Sequence, residues 1–450
     1  MKLKRNKIFY ILYILSFSIV IAFISKNSLF KNHKNYTNII LIAIDTLRAD
    51  HLGCYGYPRT TSPNIDQLAH DSIIFENAFA QSPWTLPSFS SMFTSLYPSQ
   101  HKAGLINKKL EDDYLTLAEI LSQNGYYTIG FTGGAYLSKE FGLSQGFDIF
   151  YEYNSPQSND IENVIQHAIK WLKEKRKDKF FLFVHSYQPH SPYWPPTDFD
   201  IFFKSYTGRI TGDIWKDIGI VPEKLESRFK TLSKIDRDRL ISLYDGDILY
   251  TDYWIGRLLT TLQDLGLYNN SLIIFTSDHG EEFNEHGAWE HGHSLYNELI
   301  HVPLILKLPG LKLRGTKSKR IAQLIDILPT ICEIANLKIN FSIQGESLLA
   351  KSSEKNIAYS QSFPVPNLLA VVEGDTKVIF NFDNAKCEIY NIEEDRYEKF
   401  NIFSEKKFEY YKLKLKIYPL LEIKKNIFSL DKSEVSEEIW EKLKQLGYIK

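Results

Sequence analysis

Ser271-Leu272-Ile273-Ile274-Phe275-Thr276-Ser277-Asp278-His279-Gly280 is an apolar run that ends in a carboxylate and an imidazole. A short unbroken apolar run bounded by glycine fits a strand buried on both faces. The same pattern recurs along the chain. Asn38-Ile39-Ile40-Leu41-Ile42-Ala43-Ile44, rich in β-branched residues, ends at Asp45. Phe180-Phe181-Leu182-Phe183-Val184 ends at His185, with His190 a few residues on, and Tyr127-Thr128-Ile129-Gly130-Phe131 is a fainter fourth run. Helical patterns lie between them at Thr116–Gln123, Ile161–Glu174 and Leu240–Leu265. Strands alternating with helices in this way predict an α/β fold with a mainly parallel central sheet flanked by helices.

The pattern changes at both ends. Ala370–Phe382 and Cys387–Ile392 read as short strands joined by turn residues, and Glu434–Leu446 as a closing amphipathic helix. Residues 351–450 therefore predict a small C-terminal α+β subdomain with antiparallel strands. At the other end a basic segment, residues 1–7, precedes the uncharged apolar run Ile8–Ile24, and a lysine- and asparagine-rich linker follows to residue 37. The run has the length of a short membrane span and lacks a small-residue cleavage site, so it reads as an uncleaved signal anchor. The expected arrangement is a single-pass membrane protein with a cytoplasmic N-terminus and an extracytoplasmic catalytic domain over residues 38–350.

In an open α/β sheet, ligands bind outside the carboxyl ends of the strands. Asp45, His185, Asp278 and His279 would meet there, and carboxylate with imidazole suits a divalent cation. Histidines concentrate in the same places: His279, His286, His291 and His293 share one glycine-rich stretch. In Ser82-Pro83-Trp84-Thr85-Leu86-Pro87-Ser88-Phe89, Pro87 suits a first helical turn, which puts Thr85 at a helix N-terminus. The helix dipole there favours an anion, so Thr85 is a candidate nucleophile. The formal net charge of −1 gives no basic field to attract nucleic acid. Three cysteines, Cys54, Cys332 and Cys387, cannot all pair and show no zinc-ligand spacing.

These blocks together resemble the sulfatase branch of the alkaline phosphatase superfamily. Ile44-Asp45-Thr46-Leu47-Arg48-Ala49-Asp50 resembles its opening strand, and Thr85-Leu86-Pro87-Ser88-Phe89 stands in the place of its C-x-P-S-R signature. Phe183-Val184-His185 through Pro189-His190, Ser277-Asp278-His279-Gly280 and Trp289-Glu290-His291-Gly292 resemble its central and second-metal segments. The chain departs from the pattern at three positions. Thr85 replaces the residue oxidised to formylglycine, Phe89 replaces the arginine, and Thr46 replaces the second aspartate.

A formylglycine hydrate expels sulfate by collapsing to an aldehyde, and a threonine ester has no such exit. The reacting centre therefore resembles the threonine phosphotransferases of the superfamily, which include lipoteichoic acid synthases and phosphoethanolamine transferases. The resemblance implies one divalent ion (Ca, Mg, Mn or Zn) held by Asp45, Thr85, Asp278 and His279. It also implies His190, His291 and His293 as acid or oxyanion-stabilising groups, and His185 and Arg48 as substrate contacts. The expected reaction is hydrolysis or transfer of a sulfate or phosphate ester on a glycan or lipid headgroup. A formylglycine-free sulfatase and a non-catalytic membrane-anchored glycan-binding protein are the alternatives.

Overall fold

The structure is a computed structural model that describes residues 37–104, 108–153, 161–218, 232–350, 356–362, 367–406 and 412–413. The expected anchor Ile8–Ile24, all but the last residue of the linker and the closing helix Glu434–Leu446 lie outside these residues. Among the described residues no helix is long and apolar enough to cross a membrane.

The strands are β1 (Asn38–Ile44), β2 (Ile73–Phe79), β3 (Tyr127–Thr132), β4 (Ile149–Glu152), β5 (Phe180–Ser186), β6 (Ser271–Thr276), β7 (Glu282–Phe283), β8 (Trp289–Glu290), β9 (Leu304–Lys307) and β10 (Thr316–Gln323). Eight of them form one sheet in the order β10-β2-β9-β6-β1-β5-β3-β4, and β7 pairs with β8 separately. Every pairing in the large sheet is parallel except those of β9 with β2 and β6. This is the mainly parallel α/β architecture expected.

The apolar runs are explained by burial on both sides. Ile40, Ile42 and Ile44 of β1 enter one core with Leu182, Val184, Ile273 and Phe275, beneath residues of the helices Ile161–Glu174 and Lys234–Asp264. Ile39, Leu41 and Ala43 enter the other with Phe181, Phe183, Leu272 and Ile274, beneath the helices Thr85–Thr94, Leu117–Gln123 and Ile327–Ile334. Period-two alternation with two apolar faces leaves polar residues only at the ends of β1, β5 and β6. Phe183 lies edge-on to Phe93 at 5.1 Å between ring centres. Phe183→Ala should therefore cost about 3–5 kcal/mol of stability, read as a lower urea midpoint at unchanged slope.

Helix boundaries follow local chemistry. Thr116 caps the helix Leu117–Gln123: its Oγ1 accepts from Glu119 N while Glu119 Oε2 accepts from Thr116 N. The long helix begins at Lys234 rather than Leu240, capped by Ser233. Its first turns, Lys234-Ile235-Asp236-Arg237-Asp238-Arg239, are polar but for the exposed Ile235 and precede the apolar stripe.

The C-terminal strands β11 (Ile357–Ser362), β12 (Leu368–Glu373), β13 (Thr376–Asn381) and β14 (Lys386–Asn391) form an antiparallel sheet. Gly374, at φ 63°, supplies the positive φ of the two-residue turn between β12 and β13. One face of this sheet shares a core with the large sheet: Ala358, Leu368, Ala370 and Ile379 pack with Phe79, Leu299, Ile300 and Ile321. All three cysteines are free thiols.

Candidate active site at the carboxyl edge of the sheet

β5, β1 and β6 are neighbours in register, with Ala43 opposite both His185 and Thr276. Asp45, one residue past β1, therefore stands between His185 and the Ser277-Asp278-His279 turn. Thr85 is the first residue of the helix Thr85–Thr94, and Ser88 Oγ donates to the Asp278 carbonyl at 2.7 Å. That bond ties the helix N-terminus to the end of β6.

The hydrogen bonds divide each carboxylate in two. Asp45 Oδ2 accepts from Thr85 Oγ1 at 3.2 Å and faces His185 Nε2 at 3.6 Å. Asp278 Oδ1 accepts from the backbone N–H groups of Thr46, at 3.3 Å, and His279, at 2.9 Å. The other two oxygens, Asp45 Oδ1 and Asp278 Oδ2, are buried without a hydrogen-bond partner. His279 Nδ1 donates to the Gly280 carbonyl at 2.9 Å. That bond fixes the tautomer and leaves the Nε2 lone pair facing Asp278 Oδ2 at 3.4 Å, Thr85 Oγ1 at 3.4 Å and Asp45 Oδ1 at 3.9 Å.

A lone pair and two orphaned carboxylate oxygens pointing at one another repel unless a cation sits among them. One ligand atom each of Asp45, Asp278 and His279 lie within 4.8 Å of one another, a grouping that fits a metal ion. Buried Thr46 Oγ1 also lacks a partner, and Thr46 has φ 55°, a strained conformation for a β-branched residue.

Burial sets the charges. It would raise the Asp45 carboxyl, but the facing His185 N–H and the nearby His190 charge outweigh it and hold Asp45 below its ordinary range. Burial, and then repulsion from Asp45, push Asp278 well above that range. Burial lowers His279 to about 3, with His291 adding to the effect, so the imidazole is neutral and able to ligate. His190 is raised: burial opposes its charge, but Asp45 and Glu281 favour it.

His190 and His291 reach the cluster. The His291 ring centre lies 4.5 Å from that of His279 and 5.0 Å from that of His190. His291 Nδ1 donates to Glu281 Oε1 at 2.9 Å. Glu281 was not anticipated from the sequence, although it directly follows Asp278-His279-Gly280. His293 is tied elsewhere: its Nε2 bonds Glu282 Oε2 at 2.7 Å, and Glu282 Oε1 accepts from His286 N and Ala288 N.

The two residues expected to contact substrate are both held by protein groups. Arg48 donates to both oxygens of Asp50, to the Glu281 carbonyl and to Glu285 Oε1. His185 is fully buried; its Nδ1 accepts from Gly133 N at 3.4 Å, which puts the ring proton on Nε2, toward Asp45. Phe89, in the place of the signature arginine, is fully buried edge-on to His185 with ring centres 5.1 Å apart.

The site therefore comprises a hydroxyl at a helix N-terminus, two aspartates, a neutral histidine and two further histidines, on an α/β sheet. The sulfatase family model matches residues 37–337, and a model described as N-sulphoglucosamine sulphohydrolase, C-terminal, matches residues 284–426. The chain belongs to the sulfatase family, and is an ester hydrolase of that family. An arylsulfatase of Clostridium perfringens is 25% identical over 458 residues, covering 83% of this chain and 91% of that protein. An N-acetylglucosamine-6-O-sulfatase of Bacteroides thetaiotaomicron is 25% identical over 492 residues, covering 87% of each. The crystal structure of a phosphonate monoester hydrolase of Agrobacterium radiobacter superposes with TM-score 0.70 at 19% identity, covering 85% of this chain and 95% of that one.

Proposed function

We propose that this chain hydrolyses or transfers a sulfate or phosphate ester through Thr85 as nucleophile. The observation that carries the reading is the convergence of Thr85 Oγ1 with one free oxygen each of Asp45 and Asp278 and the lone pair of His279. A divalent cation held by Asp45, Asp278 and His279 beside Thr85 would lower the hydroxyl pKa and polarise the ester oxygens. Thr85 Oγ1 forms a bond to phosphorus or sulfur as the bond to the leaving alcohol oxygen breaks, and Asp45 Oδ2 is placed to take the hydroxyl proton.

His291, oriented by Glu281, or His190 gives a proton to the departing oxygen. Water, or an acceptor alcohol, then attacks the phosphorus or sulfur of the Thr85 ester and gives its proton to the same histidine, while the bond from that atom to Thr85 Oγ1 breaks and Asp45 returns the proton to restore the hydroxyl. His185 and Arg48 act here as positioning residues, the first holding Asp45 and the second the loop that carries Glu281.

A phosphorylated threonine is released by attack at phosphorus, whereas a sulfated threonine lacks the aldehyde route. That favours phosphorus at the reacting centre. Relatives named arylsulfatase and N-acetylglucosamine-6-O-sulfatase favour a sulfate ester, the second of them one on a sugar. Trapping decides between the two. Protein quenched during turnover of 4-nitrophenyl sulfate or bis(4-nitrophenyl) phosphate should carry an adduct on Thr85, whose accurate mass separates sulfuryl from phosphoryl. An adduct located on another residue would end the nucleophile assignment. In this reading Ile8–Ile24 anchors the chain and the catalytic region works on the extracytoplasmic side, on a glycan or lipid headgroup.

A further inference from the structure

The loop that carries Glu281 and His291 is fastened to the C-terminal region through one side chain that the chemistry above does not use. His286 Nδ1 meets Glu298 Oε1 at 2.5 Å, and its Nε2 meets the Glu398 carbonyl at 3.1 Å. The ring stacks on Tyr296, centres 3.6 Å apart at 9°. The Glu398 carbonyl can only accept, so Nε2 carries a proton; burial pushes the Glu298 carboxyl up to about 7, and once it is ionised it too accepts, from a ring protonated on both nitrogens.

Each anchor is itself fixed. Glu398 Oε1 lies 2.6 Å from Lys377 Nζ on β13, both side chains fully buried, and its Oε2 accepts from Asn297 N at 2.5 Å. Gly280 N donates to the Leu299 carbonyl at 2.8 Å, beside Glu298.

We propose that His286 is a positioning residue, an imidazolium pin that locks the active-site loop to the C-terminal region and so holds His291 in place. The inference about His291 rests on the catalytic reading above; the pin itself does not. The charges that act on the ring are Glu298, beside Tyr296, and Glu398; Glu282, Glu285 and Arg48 surround Glu298, and Lys377 lies against Glu398. The surroundings are acidic on balance. Burial opposes the charge on His286, but the bond and charge of Glu298 outweigh it and push the group up to about 9. A group raised in the folded state stabilises below its ordinary value and loses that contribution as pH rises through its folded value.

Two measurements on the full chain test the pin. In the parent protein, hydrogen-exchange protection of residues 281–293, corrected for intrinsic rates, should fall as pH rises through about 9, while protection of β1 holds. His286→Gln, which keeps one donor, should lower protection of that loop by about tenfold to a hundredfold at neutral pH. It should also lower kcat on bis(4-nitrophenyl) phosphate more than it changes KM, and add no further loss in a His291→Ala background.

Loop protection unchanged by both pH and substitution would overturn the proposal, as would losses that multiply in the double variant. If His286→Gln does not fold, the parent's pH series decides alone. Full turnover in His291→Ala would instead remove His291 from the catalytic reading and leave the proton to His190, and the exchange comparison would still judge the pin.

Discussion

Thr85→Ala should reduce turnover of a sulfate or phosphate ester by about a thousandfold to a millionfold while the folded protein persists. The fold should survive because Thr85 is a first-turn helix residue, where alanine is well tolerated, and because the change removes only one hydroxyl and one methyl. The helix stays tied to β6 through Ser88 and the Asp278 carbonyl. What disappears is the one hydroxyl that bonds Asp45 and faces the His279 lone pair. Thr85→Ser should restore a measurable fraction of the rate, since it returns the oxygen without the methyl that fixes its rotamer. Steady-state kinetics beside a thermal melt separate the outcomes. Alanine at parental activity would mean that water attacks directly, and an alanine variant that no longer melts cooperatively would mean Thr85 is structural.

Why Thr85 could be picked out of the sequence, and other site residues could not, follows from where each signal resides. Asp45 and Asp278 each end an apolar strand, and the parallel topology then forces those ends to one edge. Thr85 stands two residues before a proline suited to a first helical turn. These are local patterns whose consequences are global.

The partners of Arg48 and His293 are set differently. Arg48 meets Glu285 across more than two hundred residues, and His293 meets one of several acids in its own loop. No periodicity says which. The Gln188–Asp247 bond, between the His190 loop and the long helix, left no local trace at all.

The same division holds for the sheet. β10 begins Thr316-Lys317-Ser318-Lys319-Arg320, polar and largely exposed, because it lies at the edge, and edge strands lack the apolar run that reveals a central one. β9 is only four residues long and runs antiparallel between β2 and β6, so strand–helix alternation does not foretell it.

Asp278→Asn should abolish the response to divalent cations and, with cations removed, leave the protein at least as stable as the parent. The second half of that expectation discriminates. Asp45 and Asp278 offer ligand oxygens within 4.8 Å of each other in a fully buried site, and no lysine or arginine among the described residues pairs with either. Without a cation burial and Asp45 push Asp278 toward its protonated form, and asparagine supplies a neutral side chain there permanently. Asparagine keeps the oxygen that accepts from Thr46 and His279, so the turn after β6 should hold.

With a cation about a hundredfold above its dissociation constant, the parent should gain about 2.7 kcal/mol of stability, seen as a higher melting temperature. Asp278→Asn should gain almost none, and chelation should remove activity from the parent by about a thousandfold. Running the melts with calcium, magnesium, manganese and zinc in turn identifies the ion by the size of the shift. If the cation-free variant were markedly less stable than the cation-free parent, the two carboxylates would be holding the fold together by some other contact. The metal reading of Asp45, Asp278 and His279 would then fail at its physical premise, whatever the activity showed.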